Sequence, residues 1–340
     1  MSEGSRSSDG YGDRAESVGE FRYGPDIRTA LIDGFTFLAE PVQYTVLDGE
    51  AIVEGDISLG PVADVERAME VQSEELRGDP GPRAIVITPG SQFGWPDCTI
   101  PYQINSDLPE QDRVTDAIAE WRDKTDFTFV ERNSGNAEQF PDYVEFLADD
   151  GCSANVGRRG GRQTVKLADV CTAGNCIHEI GHAAGLWHEQ SRADRDAYVT
   201  IKWENIIPEA ITNFTQHITD GDDVGKYDYG SIMHYPRSAF SKNGEDTIVP
   251  TDPDAQIGQR DGLSPGDIFA VNTVLCPTVP FVRELSLTLA LQKIYAVGLV
   301  PKVSGYQGPG SWVEFQAPPG GRTVDRGSTV GIRMRPGPVP

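Results

Sequence analysis

His178, Glu179, His182, Gly185 and His188 fall within one stretch of eleven residues, HEIGHAAGLWH, which holds three of the chain's five histidines. On a helix, residues four apart share a face at about 5–6 Å. His178 and His182 can therefore offer two imidazole nitrogens to one metal ion at roughly 2.0–2.1 Å. Gly185 can take the left-handed conformation that ends a helix, and the turn would let His188 swing back as a third ligand. Glu179 neighbours the first ligand without being one, and is placed to accept a proton from water. Zn2+ is the expected metal: three protein ligands leave a position for a water whose pKa the ion lowers to about 7. His217 reads as an ordinary surface histidine.

The elements around this stretch have their own signals. TIPYQI (99–104), FTFVER (127–132), YVEFLA (143–148) and QTVKLA (163–168) read as strands. Between the first two, Val114, Ile118 and Trp121 recur at helical spacing over 109–124 and predict an amphipathic helix packed on a sheet. Ser264 and Asp267 have capping-box spacing, and Ile268, Val271 and Leu275 continue an apolar helical face.

The chain has 340 residues with 29 Lys+Arg against 52 Asp+Glu, a net charge of −23. Such an acidic chain argues against a nucleic-acid partner, and no stretch is apolar enough for a membrane span. Residues 1–83 carry 7 Arg, no Lys and 18 acidic residues, whereas residues 278–340 carry 7 basic and 3 acidic ones. Residues 1–30 read as disordered, 35–59 as strand material broken at Asp48-Gly49, and 62–77 as a short acidic helix. Gly78-Asp-Pro-Gly-Pro82 then reads as an exposed linker. The start lacks a basic n-region and an apolar h-region, so no signal peptide is visible.

HEIGHAAGLWHEQSRADRD (178–196) resembles the zinc signature of the astacin family of metzincin metalloendopeptidases, and Ser231-Ile-Met-His-Tyr235 resembles that family's Met-turn. The resemblance covers about 84–277. It implies that His178, His182 and His188 hold one catalytic zinc, with Glu179 as general base and then proton donor. Met233 would pack beneath the metal. Tyr235 would be a further zinc ligand that swings away to stabilise the oxyanion. Gly157–Gly161 followed by QTVKLA is similar to the family's edge strand, against which an extended substrate lies as an added strand. Cys152 and Cys171 match a family disulfide. The family's second bridge lacks its usual cysteine, since Asp126 stands there; Cys98 with Cys276 could substitute. Cys176 is left over, either buried and free or displacing Cys171.

Upstream, Val53-Glu-Gly-Asp56-Ile resembles the FxGD motif of astacin pro-segments, with Val53 where the family usually has an aromatic residue. The resemblance makes Asp56 a zymogen switch that fills the metal's open position. It makes 1–83 an inhibitory pro-segment removed by an activating protease near Arg83-Ala84. The freed N-terminus would then be buried against Glu189. Downstream, QAPPGGRTV (316–324) and RGSTV (326–330) resemble a PASTA domain, a small module associated with bacterial peptidoglycan.

The expected architecture is α+β: a two-lobed, astacin-like catalytic domain (84–277) around a cleft, with a twisted, mostly parallel sheet. A pro-segment (1–83) precedes it and a small α+β PASTA-like domain (281–336) follows. The expected function is a zinc endopeptidase made as a zymogen, secreted or directed to the cell surface. Its partners would be protein or peptide substrates and, through the tail, peptidoglycan. The rival is a non-catalytic wall-binding protein with a structural zinc site, which would have no need of Glu179.

Overall fold

The computed structural model describes residues 16–18, 20–32, 40–77, 93–217, 221 and 223–337. The expected linker and the expected cut site near Arg83-Ala84 lie outside the described residues. The first elements are an antiparallel pair, β1 (Glu16–Val18) and β2 (Phe21–Tyr23), and then β3 (Ile27–Ile32), β4 (Glu40–Leu47), β5 (Glu50–Val53) and β6 (Ile57–Pro61). Asp48 and Gly49 both take positive φ, 51° and 82°, which is the tight turn that an Asp-Gly pair favours between β4 and β5. Helix α1 (Val62–Arg77) follows with the bounds that the sequence predicts. The reading of 1–30 as disordered fails for 20–30, where Phe21, Arg22 and Ala30 are buried.

The chain continues with β7 (Thr99–Ile104), α2 (Asp112–Lys124), β8 (Thr128–Glu131), β9 (Tyr143–Ala148), β10 (Ser153–Ala154), β11 (Arg162–Leu167) and α3 (Ala173–Ala184). Val114, Ala117, Ile118 and Trp121 form the buried face of α2, and the Trp121 indole donates to the Ile177 carbonyl at 3.1 Å, which sets α2 against α3. The lower part is irregular, with β12 (Val199–Ile201) paired to β13 (Ile248–Pro250) and then α4 (Pro265–Ala270), which runs into a wider turn over Val271–Leu275. Ser264 and Asp267 do form the capping box.

One nine-stranded sheet, in the order β3-β4-β5-β6-β10-β11-β9-β7-β8, joins the N-terminal segment to the catalytic unit. Strands β11, β9, β7 and β8 run parallel to one another, while β10 is antiparallel to β11. This corrects the edge-strand expectation. QTVKLA lies in β11, inside the sheet, and the antiparallel edge of the catalytic unit is the two-residue β10. That edge is covered by β6, which runs parallel to it with Ile57 opposite Ala154.

The tail folds as α5 (Leu287–Ala296) on a sheet ordered β14-β16-β15, where β14 is Val300–Gly305, β15 Trp312–Ala317 and β16 Thr329–Arg335. In the sequence, LSLTLALQKIYAVGL (285–299) reads as one helix and 312–334 as two short strands; the strands match β15 and β16, the helix ends at Ala296, and β14, interrupted by Pro301 and Gly305, is not anticipated. Val279, Val282, Ala290, Ile294, Val313, Val330 and Ile332 are its core. The unit is fastened to its neighbour by Asp325, whose carboxylate accepts from the Asp97 amide at 2.8 Å, and by Thr278, which donates to Asp126 at 2.9 Å. Disulfides join Cys152 to Cys171 and Cys98 to Cys276, and Cys176 is free and buried. The Cys98–Cys276 bond closes a separation of 178 residues, which contributes about 5 kcal/mol on the chain-entropy view.

Candidate active site

Helix α3 starts at Thr172, whose side chain caps the Asn175 amide while the Asn175 side chain accepts from the Thr172 amide. It stops at Gly185, whose φ of 122° lets the amide close onto the Gly181 and His182 carbonyls. His178 and His182 share one face of this helix, and the turn after Gly185 returns His188 to it. The Nε2 atoms of His178 and His182 lie 3.1 Å apart, and those of His178 and His188 3.3 Å apart.

Each ring is held by its other nitrogen. Nδ1 of His178 meets the Ile232 carbonyl at 2.8 Å, Nδ1 of His182 the Leu186 carbonyl at 2.8 Å, and Nδ1 of His188 the Glu54 carboxylate at 2.6 Å. An acceptor at Nδ1 places the proton there and leaves Nε2 as a lone pair. Three lone pairs converging in a buried space repel one another unless a cation lies between them. Tetrahedral ligands at about 2.0–2.1 Å from one ion sit about 3.3 Å apart, so the residues fit a zinc ion. Asp56 completes the set: Oδ2 lies 3.3 Å from His178 Nε2 and 3.1 Å from His188 Nε2, while Oδ1 is buried without a hydrogen-bond partner.

Met233 sits under this helix, and a Cβ on Gly181 would come within 2.6 Å of its sulfur. The Met-turn is fixed by Asp267, whose carboxylate accepts from the Ser231 hydroxyl at 2.6 Å and the Ile232 amide at 2.9 Å. The Glu189 amide donates to the Met233 carbonyl at 3.1 Å, tying the third histidine's segment to the same turn. Glu189 is half-buried and accepts from the Asp228 amide at 2.7 Å; desolvation pushes its carboxyl up to about 8. Burial also drives His178 and His182 well below the ordinary histidine range. Burial opposes protonation of His188 too, but the charges of Asp56 and Glu54 win and push it up to about 9, so a zinc ion would have to displace a proton from its Nε2. Glu179 is buried, its carboxyl raised first by burial and then by the charges of Asp56 and Glu20, and its Oε2 has no partner.

The N-terminal segment occupies this site at several points that the sequence reading does not contain. The Tyr235 hydroxyl donates to the Glu54 carbonyl, and the ring centroid lies 4.5 Å from that of His188. Phe21 packs on Tyr235 and Phe240 at 4.6 and 5.3 Å. Glu20 accepts from the Arg260 guanidinium and from the Asn175 carboxamide. His217 is a correction: it is buried, stacked on Trp187 at 4.1 Å, with Nε2 3.2 Å from the Glu54 carboxylate. Nothing in its local sequence signals this, because Trp187 and Glu54 reach it from distant segments.

The family model for Astacin, a peptidase family, matches residues 88–276, more than half of the chain. The chain belongs to the astacin family. Zinc metalloproteinase nas-13 of Caenorhabditis elegans is 45% identical over 190 residues, covering 54% of this chain and 41% of that protein. High choriolytic enzyme 1 of Oryzias latipes is 40% identical over 185 residues, covering 52% of this chain and 65% of that protein. The solved structure of the same hatching enzyme zinc-protease aligns with 39% identity and a TM-score of 0.47, covering 51% of this chain and 87% of that one. The chain thus spans less than half the length of nas-13 and just under two thirds of the choriolytic enzyme. Within this astacin, residues 88–276 are a zinc metalloendopeptidase domain, and zinc is its cofactor.

Proposed function

We propose that the protein is a latent endopeptidase: residues 1–83 silence the zinc site, and an activating protease releases it. The convergence of Asp56 with His178, His182 and His188 carries this reading. Three imidazoles serve as resident ligands, and the Asp56 carboxylate stands in the position that a water would take. When bound, the zinc supplies an acidified water and polarises the scissile carbonyl. Glu179, buried and half unpartnered, takes the proton and returns it to the leaving amine. Tyr235, freed from the Glu54 carbonyl, turns its hydroxyl to the oxyanion that develops on the substrate. Glu189 receives the new N-terminus after a cut near Arg83-Ala84.

Latency in this reading is not the work of Asp56 alone. Glu54 holds both His188 and His217, Phe21 covers Tyr235, and Glu20 pairs with Arg260. The expected partners are protein or peptide substrates, and the expected setting is secreted or surface-directed. Zinc near one ion per chain, with chelator-sensitive casein hydrolysis appearing only after limited trypsin, is the expected result. Zinc without hydrolysis under any processing would move the assignment to the non-catalytic reading.

The tail, with its PASTA-like sequence, is proposed to hold the enzyme on an anionic wall polymer such as peptidoglycan, which suits its excess of basic residues. The full chain should co-sediment with purified cell walls and lose that property when 278–340 is deleted. Equal sedimentation of both chains would remove this role.

A further inference from the structure

The edge that faces the cleft is only two residues long as a regular strand, yet the chain lying on it is held at two successive rungs. At the first, the main-chain amide of Ala154 donates to the Asp56 carbonyl at 2.9 Å. At the second, the Ser58 carbonyl is met not by main chain but by the side chain of Asn155, whose Nδ2 donates to it at 2.7 Å. The other end of the same carboxamide, Oδ1, accepts from the Thr164 amide of β11 at 3.3 Å. Asn155 is buried, at 8% exposure. A side-chain carboxamide has the donor and acceptor of a peptide unit. Here it replaces one rung, linking the interior strand β11 to whatever lies on the edge of β10. The Thr164 amide also fixes which way the carboxamide points, so the donor faces outward.

Asp56 directly precedes β6 and Ser58 lies within it, and the carbonyls of both are turned to the β10 edge. The occupant is therefore gripped through its main chain, whatever its side chains. Once β6 has left, the Asn155 donor remains in place beside the metal site with its partner gone. An extended peptide entering the opened cleft can supply an acceptor in place of the Ser58 carbonyl.

We propose that Asn155 is a positioning residue for substrate: its carboxamide binds a main-chain carbonyl of the bound peptide about two residues along from the one that accepts from the Ala154 amide. This rests on the peptidase reading above. It makes recognition at that subsite dependent on peptide length and indifferent to side-chain identity.

The test uses trypsin-cut, zinc-loaded protein carrying Glu179→Ala and separated from its N-terminal segment. The probes are fluorescein-labelled alanine–serine peptides lengthened by one residue at a time from each end, with affinity read by anisotropy. With Asn155 intact, one added residue should tighten binding by roughly three- to tenfold, the worth of one neutral hydrogen bond. That step should disappear in Asn155→Asp, which keeps the acceptor for Thr164 but loses the donor, and in Asn155→Ala. A step that survives in both variants overturns the proposal. So does the absence of any step with Asn155 intact, or an equal loss at every length with zinc content unchanged. Cut protein with Glu179 intact that shows the step but cleaves nothing would sink the peptidase reading and leave this one standing.

Discussion

A Glu179→Ala chain is expected to bind zinc as the wild type does and, after trypsin, to hydrolyse casein about 10²–10⁴-fold more slowly, the usual worth of a positioned general base. The three imidazoles are held through Nδ1 by Ile232, Leu186 and Glu54, and none of those contacts involves Glu179. Removing a buried carboxylate without a full set of partners also relieves a desolvation cost. Stability should therefore hold while turnover falls. Metal analysis and melting on the same sample separate the two effects. Loss of zinc together with loss of activity would mean that Glu179 acts on the ion and not on the proton.

The second large effect concerns the uncut protein. Asp56→Ala should turn silent full-length chain into measurably active chain before any cleavage. Asp56 is buried among three imidazoles, and breaking a buried charged contact by removing one partner typically costs about 3–5 kcal/mol. That corresponds to on the order of 10²–10³-fold more open protein. The gain should remain short of full activation, because Phe21 on Tyr235, Glu20 on Arg260 and the β6–β10 pairing are untouched. Casein hydrolysis by uncut wild type and variant, each with a trypsin-cut control, decides it. A variant no more active than wild type before cutting would end the switch assignment.

The catalytic core of this arrangement is legible in the chain because it is local. His178 and His182 are one helical turn apart, Gly185 ends that helix, and His188 follows at once, so no long-range information is needed. Helix α2 and strands β7, β8 and β9 are legible for the same reason: each is long enough to show its period. Strand β10 is not, since two residues have no period, and the family resemblance draws the edge assignment to QTVKLA in β11. Residues 20–30 read as disordered because they are taken together with a start rich in Ser, Gly and Asp. Phe21 and Arg22 are buried by surfaces that other parts of the chain bring to them. Glu54, Arg260 and Asn155 act across separations that a local pattern does not report, and His217 is buried by the same kind of convergence.

The shared nine-stranded sheet sets what a cut in the linker can achieve. Severing the chain there breaks one covalent bond and none of the contacts in the cleft. It removes only the high effective concentration that tethering gives. The severed fragment would stay bound as a separate inhibitor, and its departure would be a dissociation step with its own rate. Enzyme activity would then depend on how dilute the cut protein is, and would keep rising after cleavage is complete until the released fragment is itself degraded.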